Sequence, residues 1–180
     1  LIVSLEWGPR RFAVEWAREI FARPRFRDHL GILLIHDYLL PSNQRDGQDG
    51  NRKRPGNPHW YKTGLAGDTH DGEDLWNTLV RKTPNLRLVL NGHEMGAHVG
   101  YRQDDNDAGK AVHQMLFNAQ GLGGGSDHRG NGGDGWLRLL TFVPDGRTLS
   151  VRTFSPLRMK EGRPHYWDDP RWRFSVDFGG

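Results

Sequence analysis

Apolar positions along this chain follow two regimes that meet near residue 96. Before it, continuous apolar runs alternate with amphipathic stretches; after it, apolar and polar residues mostly alternate. Leu1-Ile2-Val3-Ser4-Leu5, Leu30-Gly31-Ile32-Leu33-Leu34-Ile35 and Leu86-Arg87-Leu88-Val89-Leu90 read as strands covered on both faces. Between the first two, the pattern predicts a helix over 9–22. Phe12, Trp16 and Ile20 recur every four residues with Ala13, Ala17 and Phe21 alongside, Pro9 suits the first turn, and Pro24 ends it. Between the second and third, a helix is predicted over 72–82, with Asp71 as its cap and Leu75, Trp76, Leu79 and Val80 as its buried stripe. Strand, crossover helix and strand in one sheet imply parallel pairing with right-handed connections.

The second regime predicts an extended segment at 110–117 and a hairpin of 136–143 with 147–154. Pro144-Asp145-Gly146 turns that hairpin, because Pro presets φ and Gly accepts a positive one. Trp172, Phe174, Val176 and Phe178 alternate with Arg173, Ser175 and Asp177, predicting a half-buried closing strand. Residues 121–135 are Gly-rich, yet a strand follows where a phosphate cradle needs a helix, so a flexible connector is expected. Residues 37–71 lack periodicity. A loop of that length is functional or disordered, and Asn57-Pro58-His59-Trp60-Tyr61 argues against disorder, so a lid or rim is expected. The whole is α/β with an α+β-like carboxyl-terminal part: one domain, or part of one, with a β-α-β-α-β portion at 1–96 and a mainly β portion at 97–180.

Composition narrows the function classes. Seven Trp and eight Phe supply a core, while 24 Gly and 10 Pro place much of the chain in irregular segments. A formal charge of +3 is too small to argue for nucleic acid, and Arg52-Lys53-Arg54 reads as a solvated loop rather than a phosphate patch. With no Cys, thiolate metal sites, cysteine nucleophiles and disulfides are excluded within these residues, and the compartment is left open. No apolar run is long enough to cross a bilayer. The chain opens without Met inside an apparent buried strand, from which preceding sequence is expected.

Two histidines stand out by position. His36 directly follows the second buried strand, and His93 follows the third through Asn91-Gly92, whose glycine is expected to make the sharp turn. Both belong at the carboxyl edge of one parallel sheet, where open α/β folds place ligands. Imidazoles fixed by strand ends suit a metal, but two cannot complete a coordination sphere. His98, five residues on, is a candidate to join them, and Asp37 adjoins His36 with no direction readable. Asp104, Asn106 and Asp107 fail as a calcium loop because Ala108 stands where oxygen is needed. His59, His70, His113, His128 and His165 have no partner at ligand spacing, and neither a Gly-x-Ser-x-Gly elbow nor an HExxH helix occurs.

In order, Leu5-Glu6-Trp7-Gly8-Pro9, Leu34-Ile35-His36-Asp37-Tyr38, the helix from Gly72 to Val80, Leu90-Asn91-Gly92-His93, the run Gly132 to Arg138 and Thr153-Phe154-Ser155-Pro156 resemble the carboxyl-terminal half of a calcineurin-like metallophosphoesterase of bacterial type. The resemblance covers most of 1–157. It implies half of a two-sheet sandwich flanked by helices, and hydrolysis of a phosphate mono- or diester by a two-metal centre of Mn, Fe, Zn or similar ions. His36 then matches the lone histidine ligand, and His93 the first histidine of Gly-His-x-His, both on one ion. Met95 replaces the second histidine of that motif, and a thioether is a poor ligand for such ions. The bridging carboxylate motifs are absent from these residues and belong upstream, so the amino-terminal half of the same domain is the implied partner and these residues alone are expected to be inactive. A non-catalytic β-rich module, binding carbohydrate on Trp60 and Trp167, is the alternative.

Overall fold

Strands β1 (Ile2–Ser4), β2 (Gly31–Leu34) and β3 (Leu86–Asn91) are the three apolar runs; pairing sets their ends, so β1 and β2 are shorter than their runs and β3 extends one residue further, to Asn91. The computed structural model describes residues 1–61, 68–125 and 130–179. Helices α1 (Arg11–Phe21) and α2 (Gly72–Leu75) make the crossovers, followed along the chain by β4 (Val99–Asp105), β5 (Ala111–Phe117), β6 (Leu137–Phe142), β7 (Thr148–Phe154), α3 (Pro156–Lys160), β8 (Tyr166–Trp167) and β9 (Phe174–Asp177). The chain is thus mixed α/β with two sheets, one ordered β1-β2-β3-β5-β4 and one of β6-β7-β8 with β9 also on β7. It divides into two compact units, Leu1–Glu94 with Gly100–Leu116, and Met95–Val99 with Phe117–Gly180. Among the described residues no helix is long and apolar enough to cross a membrane.

In the first unit, β1 pairs with β2 and β2 with β3, both in parallel, with Leu34 opposite Leu90. Strand β5 continues the parallel set on the far side of β3. Leu33, Leu86, Leu88 and Val89 are wholly buried, each worth roughly 1.5–3 kcal/mol in area removed from water. Helix α1 covers one face with part of the predicted stripe. Ala17 and Phe21 are buried as expected, with Val14 beside them, whereas Phe12 and Trp16 are 60% and 49% exposed. Pro9 lies outside the helix, which Arg10 caps at its amino end.

Helix α2 begins with a capping box: the Asp71 carboxylate accepts from the Asp74 N–H, and the Asp74 carboxylate accepts from the Asp71 N–H. Only its first turn is α-helical; Trp76–Val80 widens to a π turn, while Leu75, Trp76, Leu79 and Val80 are buried as expected. Gly72 is required here, since a Cβ would meet the Tyr38 carbonyl oxygen at 2.1 Å.

The aperiodic segment after His36 is not a lid over its first part. Tyr38, Leu39, Arg45 and Asp46 are buried. The Arg45 guanidinium donates to Glu73 at 2.7 Å and to Asp104 at 2.8 Å, and lies 4.4 Å from the Trp76 ring centre. Ion pairs rather than apolar periodicity hold this stretch to α2 and β4, so its order left no hydrophobic signature.

In the second unit, β6 and β7 form the predicted hairpin, with Leu137 opposite Phe154 and Gly146 at φ 74°. Strand β9 pairs with β7 and buries Val176, and Trp172 just before it is also buried. The Gly-rich stretch is more structured than a plain connector. Asp134, buried at φ 53°, accepts from Asn131, Arg158 and Arg163. Residues 126–129, His128 among them, lie outside the described residues, as do 62–67 of the segment after His36.

Candidate metal centre

His36 and His93 leave neighbouring strand ends and meet: the Nδ1 of His93 is 2.9 Å from the Nε2 of His36. Two backbone hydrogen bonds extend the parallel ladder to this point, Ile35 N–H to the Leu90 carbonyl and Gly92 N–H to the His36 carbonyl, both 3.1 Å. The Asn91 side chain completes the clamp. Its Oδ1 accepts from the Leu39 N–H at 3.2 Å, and its Nδ2 donates to the Leu39 carbonyl at 3.0 Å. One amide therefore replaces a missing strand partner and fixes the chain just beyond His36.

The turn itself is made by an unexpected residue. His93, not Gly92, takes the positive φ, at 62°. That conformation costs a non-glycine residue about 1 kcal/mol or more, and such outliers persist where the surroundings over-determine them. Trp7, from the turn after β1, packs on the pair with ring centres 6.4 Å from His36 and 5.9 Å from His93, and on Tyr61 at 4.8 Å. Burial, and then the neighbouring His93, lower the pKa of His36, which keeps that ring neutral and able to offer a lone pair.

Two nitrogens bound to one ion at about 2.1 Å and at right angles would be about 3.0 Å apart, so the 2.9 Å separation suits adjacent ligands of a single ion. A neutral imidazole pair would also sit at this distance if one ring donated to the other.

Acids surround the pair. Asp37 is buried, and ligand-capable atoms of Asp37, His93 and Glu94 all lie within 4.8 Å of one another. Burial, then the facing carboxyls of Asp46 and Glu94, push Asp37 far above the carboxylate range, with Arg54 opposing. Arg54 donates to Asp46 and to Glu94, each at 2.9 Å. This corrects the reading of Arg52-Lys53-Arg54 as a solvated loop, because Arg52 is likewise paired, with Asp71 and Asp74.

Sequence reasoning had no signal for Arg54 or Asp46, which no motif joins to His93. It did have one for Glu94, through its adjacency to His93. His59 does have neighbours, Asp71 and Asp74. Arg52 already pairs with both, and Asp71 is committed to capping α2, so that group is accounted for by structure.

The remaining candidates lie elsewhere. His98 belongs to the second unit, where its Nδ1 meets the Asn118 carbonyl at 3.1 Å and its ring faces Trp172. Met95 is 49% exposed. Asp104 and Asp107 are paired with arginines, and Asn106 Oδ1 accepts from the Ala108 and Lys110 N–H groups, so these three close a turn. Trp60 is exposed, while Trp167 stacks flat on Trp172 at 3.9 Å and borders a cavity of about 300 Å³ lined also by Trp136, Tyr166 and Arg158.

No protein-family model matches the chain, and no solved structure matches it. Over an alignment of 163 residues that covers 87% of this chain, the sequence is 30% identical to the uncharacterized protein YvnB of Bacillus subtilis (strain 168), and it spans 10% of that relative's length.

Proposed function

We propose that these residues carry the histidine side of a divalent-metal centre that hydrolyses a phosphate mono- or diester. The observation carrying this reading is the 2.9 Å contact of His36 and His93 at the carboxyl ends of adjacent parallel strands. The motif order from Trp7 to Pro156 adds the resemblance to calcineurin-like metallophosphoesterases, with half of their two-sheet sandwich as the corresponding architecture. A divalent ion bound here would supply Lewis-acid charge for the phosphoryl oxygens and lower the pKa of a water nucleophile. The chain's own residues prepare that chemistry. Asn91 holds the 36–39 backbone in line with β3, the neutral His36 ring presents a lone pair, and Trp7 packs against both imidazoles.

The test has two parts. His36→Ala and His93→Ala are each expected to weaken Zn²⁺ binding by the 180-residue chain at least 100-fold in calorimetric titration. Hydrolysis of p-nitrophenyl phosphate or its bis-ester is expected only when the sequence upstream is joined, and it should vanish with His93→Ala. Full turnover without His93 refutes the assignment. The cavity beside Trp136, Tyr166 and Trp167 favours the second reading, a carbohydrate-binding module. It is distinguished by ligand binding that survives His36→Ala.

A further inference from the structure

Buried oxygens beside His93 have no partner. The Asp37 side chain is 1% exposed, and neither Oδ1 nor Oδ2 has a hydrogen-bond partner; Asp46 Oδ2 lacks one as well. Asp37, Asp46 and Glu94 converge on one guanidinium, that of Arg54, at 3.9, 2.9 and 2.9 Å. One guanidinium thus serves three acids, and Asp37 is the farthest of them from it. Carboxylates taken out of water persist only with a counter-charge or a full set of hydrogen bonds. Asp37 has neither.

Ligand-capable atoms of Asp37, His93 and Glu94 lie within 4.8 Å of one another, close enough to share one oxygen-rich coordination shell, whose opposite ligands lie about 4–5 Å apart. Gly56 leaves that side open. A Cβ there would come within 3.0 Å of Glu94 Oε1 and 3.3 Å of His93 Nε2, and the residue sits at φ 100°, which other side chains rarely adopt. Arg54 takes Oε1 of Glu94, and the same carboxylate offers Oε2.

We propose that Asp37, Glu94 and His93 form a binding site for an oxygen-preferring divalent cation such as Mn²⁺, distinct in its donors from the His36–His93 pair. The site shares His93 with the proposed hydrolytic centre but does not require phosphoester hydrolysis. Asp37 is the buried ligand, releasing its proton as the cation binds, Glu94 the accessible one, and Arg54 a positioning residue that pairs with Asp46 and holds Glu94 in place.

The test is Mn²⁺ titration of the 180-residue chain, read by loss of the free aquo-ion signal in electron paramagnetic resonance. Asp37→Asn and Glu94→Gln are each expected to weaken Mn²⁺ binding at least tenfold, while His36→Ala changes it less than threefold. Glu94, on a partly exposed side chain, decides the question if Asp37→Asn fails to keep its near-ultraviolet circular dichroism. Unchanged Mn²⁺ affinity in Glu94→Gln and in a folded Asp37→Asn would overturn the proposal, leaving Asp37 as an acid that keeps a proton facing Asp46. Loss of Mn²⁺ on His36→Ala, without sensitivity to Asp37 or Glu94, would also overturn it while leaving the histidine-pair reading intact.

Discussion

His93 is the residue at which backbone cost and chemistry coincide. Its positive φ would suit glycine, yet an imidazole occupies it, against Trp7 and His36. Replacing it therefore separates strain from side chain. His93→Gly is expected to be about 1 kcal/mol more stable than His93→Ala in urea denaturation, because only glycine adopts this φ freely. Equal stabilities would show that the turn relaxes when the ring is removed. Both histidines were legible in the sequence because each ends an apolar run, and strand ends can be read from hydropathy. Asn91 was visible only as a neighbour. Its role depends on Leu39 lying alongside, which no local pattern encodes. Gly92 drew attention as the flexible residue, although its N–H serves as a ladder donor instead.

Among the elements, strands and crossovers followed the hydrophobic pattern closely, and the misreadings have specific causes. In α1, large rings at Phe12 and Trp16 outweighed Val14 in the pattern, but close packing favours the smaller Val14 and Ala17. Strand β4 was missed because Val99–Asp105 carries Tyr, Arg, Gln and two Asp along a strand that charged pairs hold. That charge has a measurable consequence at Asp104. Burial pushes its carboxyl up, but hydrogen bonds from Arg102 and Gln114 and the charge of Arg45 outweigh this and hold it at about 2. The folded pKa is depressed, so the stabilisation is complete above about pH 4, the unfolded value, and is lost as pH falls toward 2. Thermal melts between pH 5 and 2 are expected to show a shallower loss of stability in Asp104→Asn than in the wild type, from a lower starting point. Parallel curves would mean that other carboxylates govern acid unfolding.

For the whole molecule, β1 ends the order of the larger sheet, and Ile2 on it is 61% exposed. An apolar edge strand is a template for pairing with another chain. The 180 residues alone are expected to self-associate at high concentration, and Ile2→Lys should shift sedimentation toward monomer without lowering the melting temperature by more than a few degrees. Association unaffected by Ile2→Lys would locate the contact elsewhere. Fold class was legible from the alternation of regimes at residue 96. The division into two units, with 95–99 and 100–116 crossing between regimes, was not, because it depends on which strands pair across the sequence.

Strand β3 lies between β2 and β5, with a neighbour on either side. Its amide hydrogens from Leu88 to Asn91 can trade with deuterated solvent only when the sheet itself opens, whereas those of the 54–61 stretch need only a local excursion. The imidazole at the tip of β3 is thus rooted in the slowest-exchanging part of its unit, and it keeps its place while the chain around it breathes.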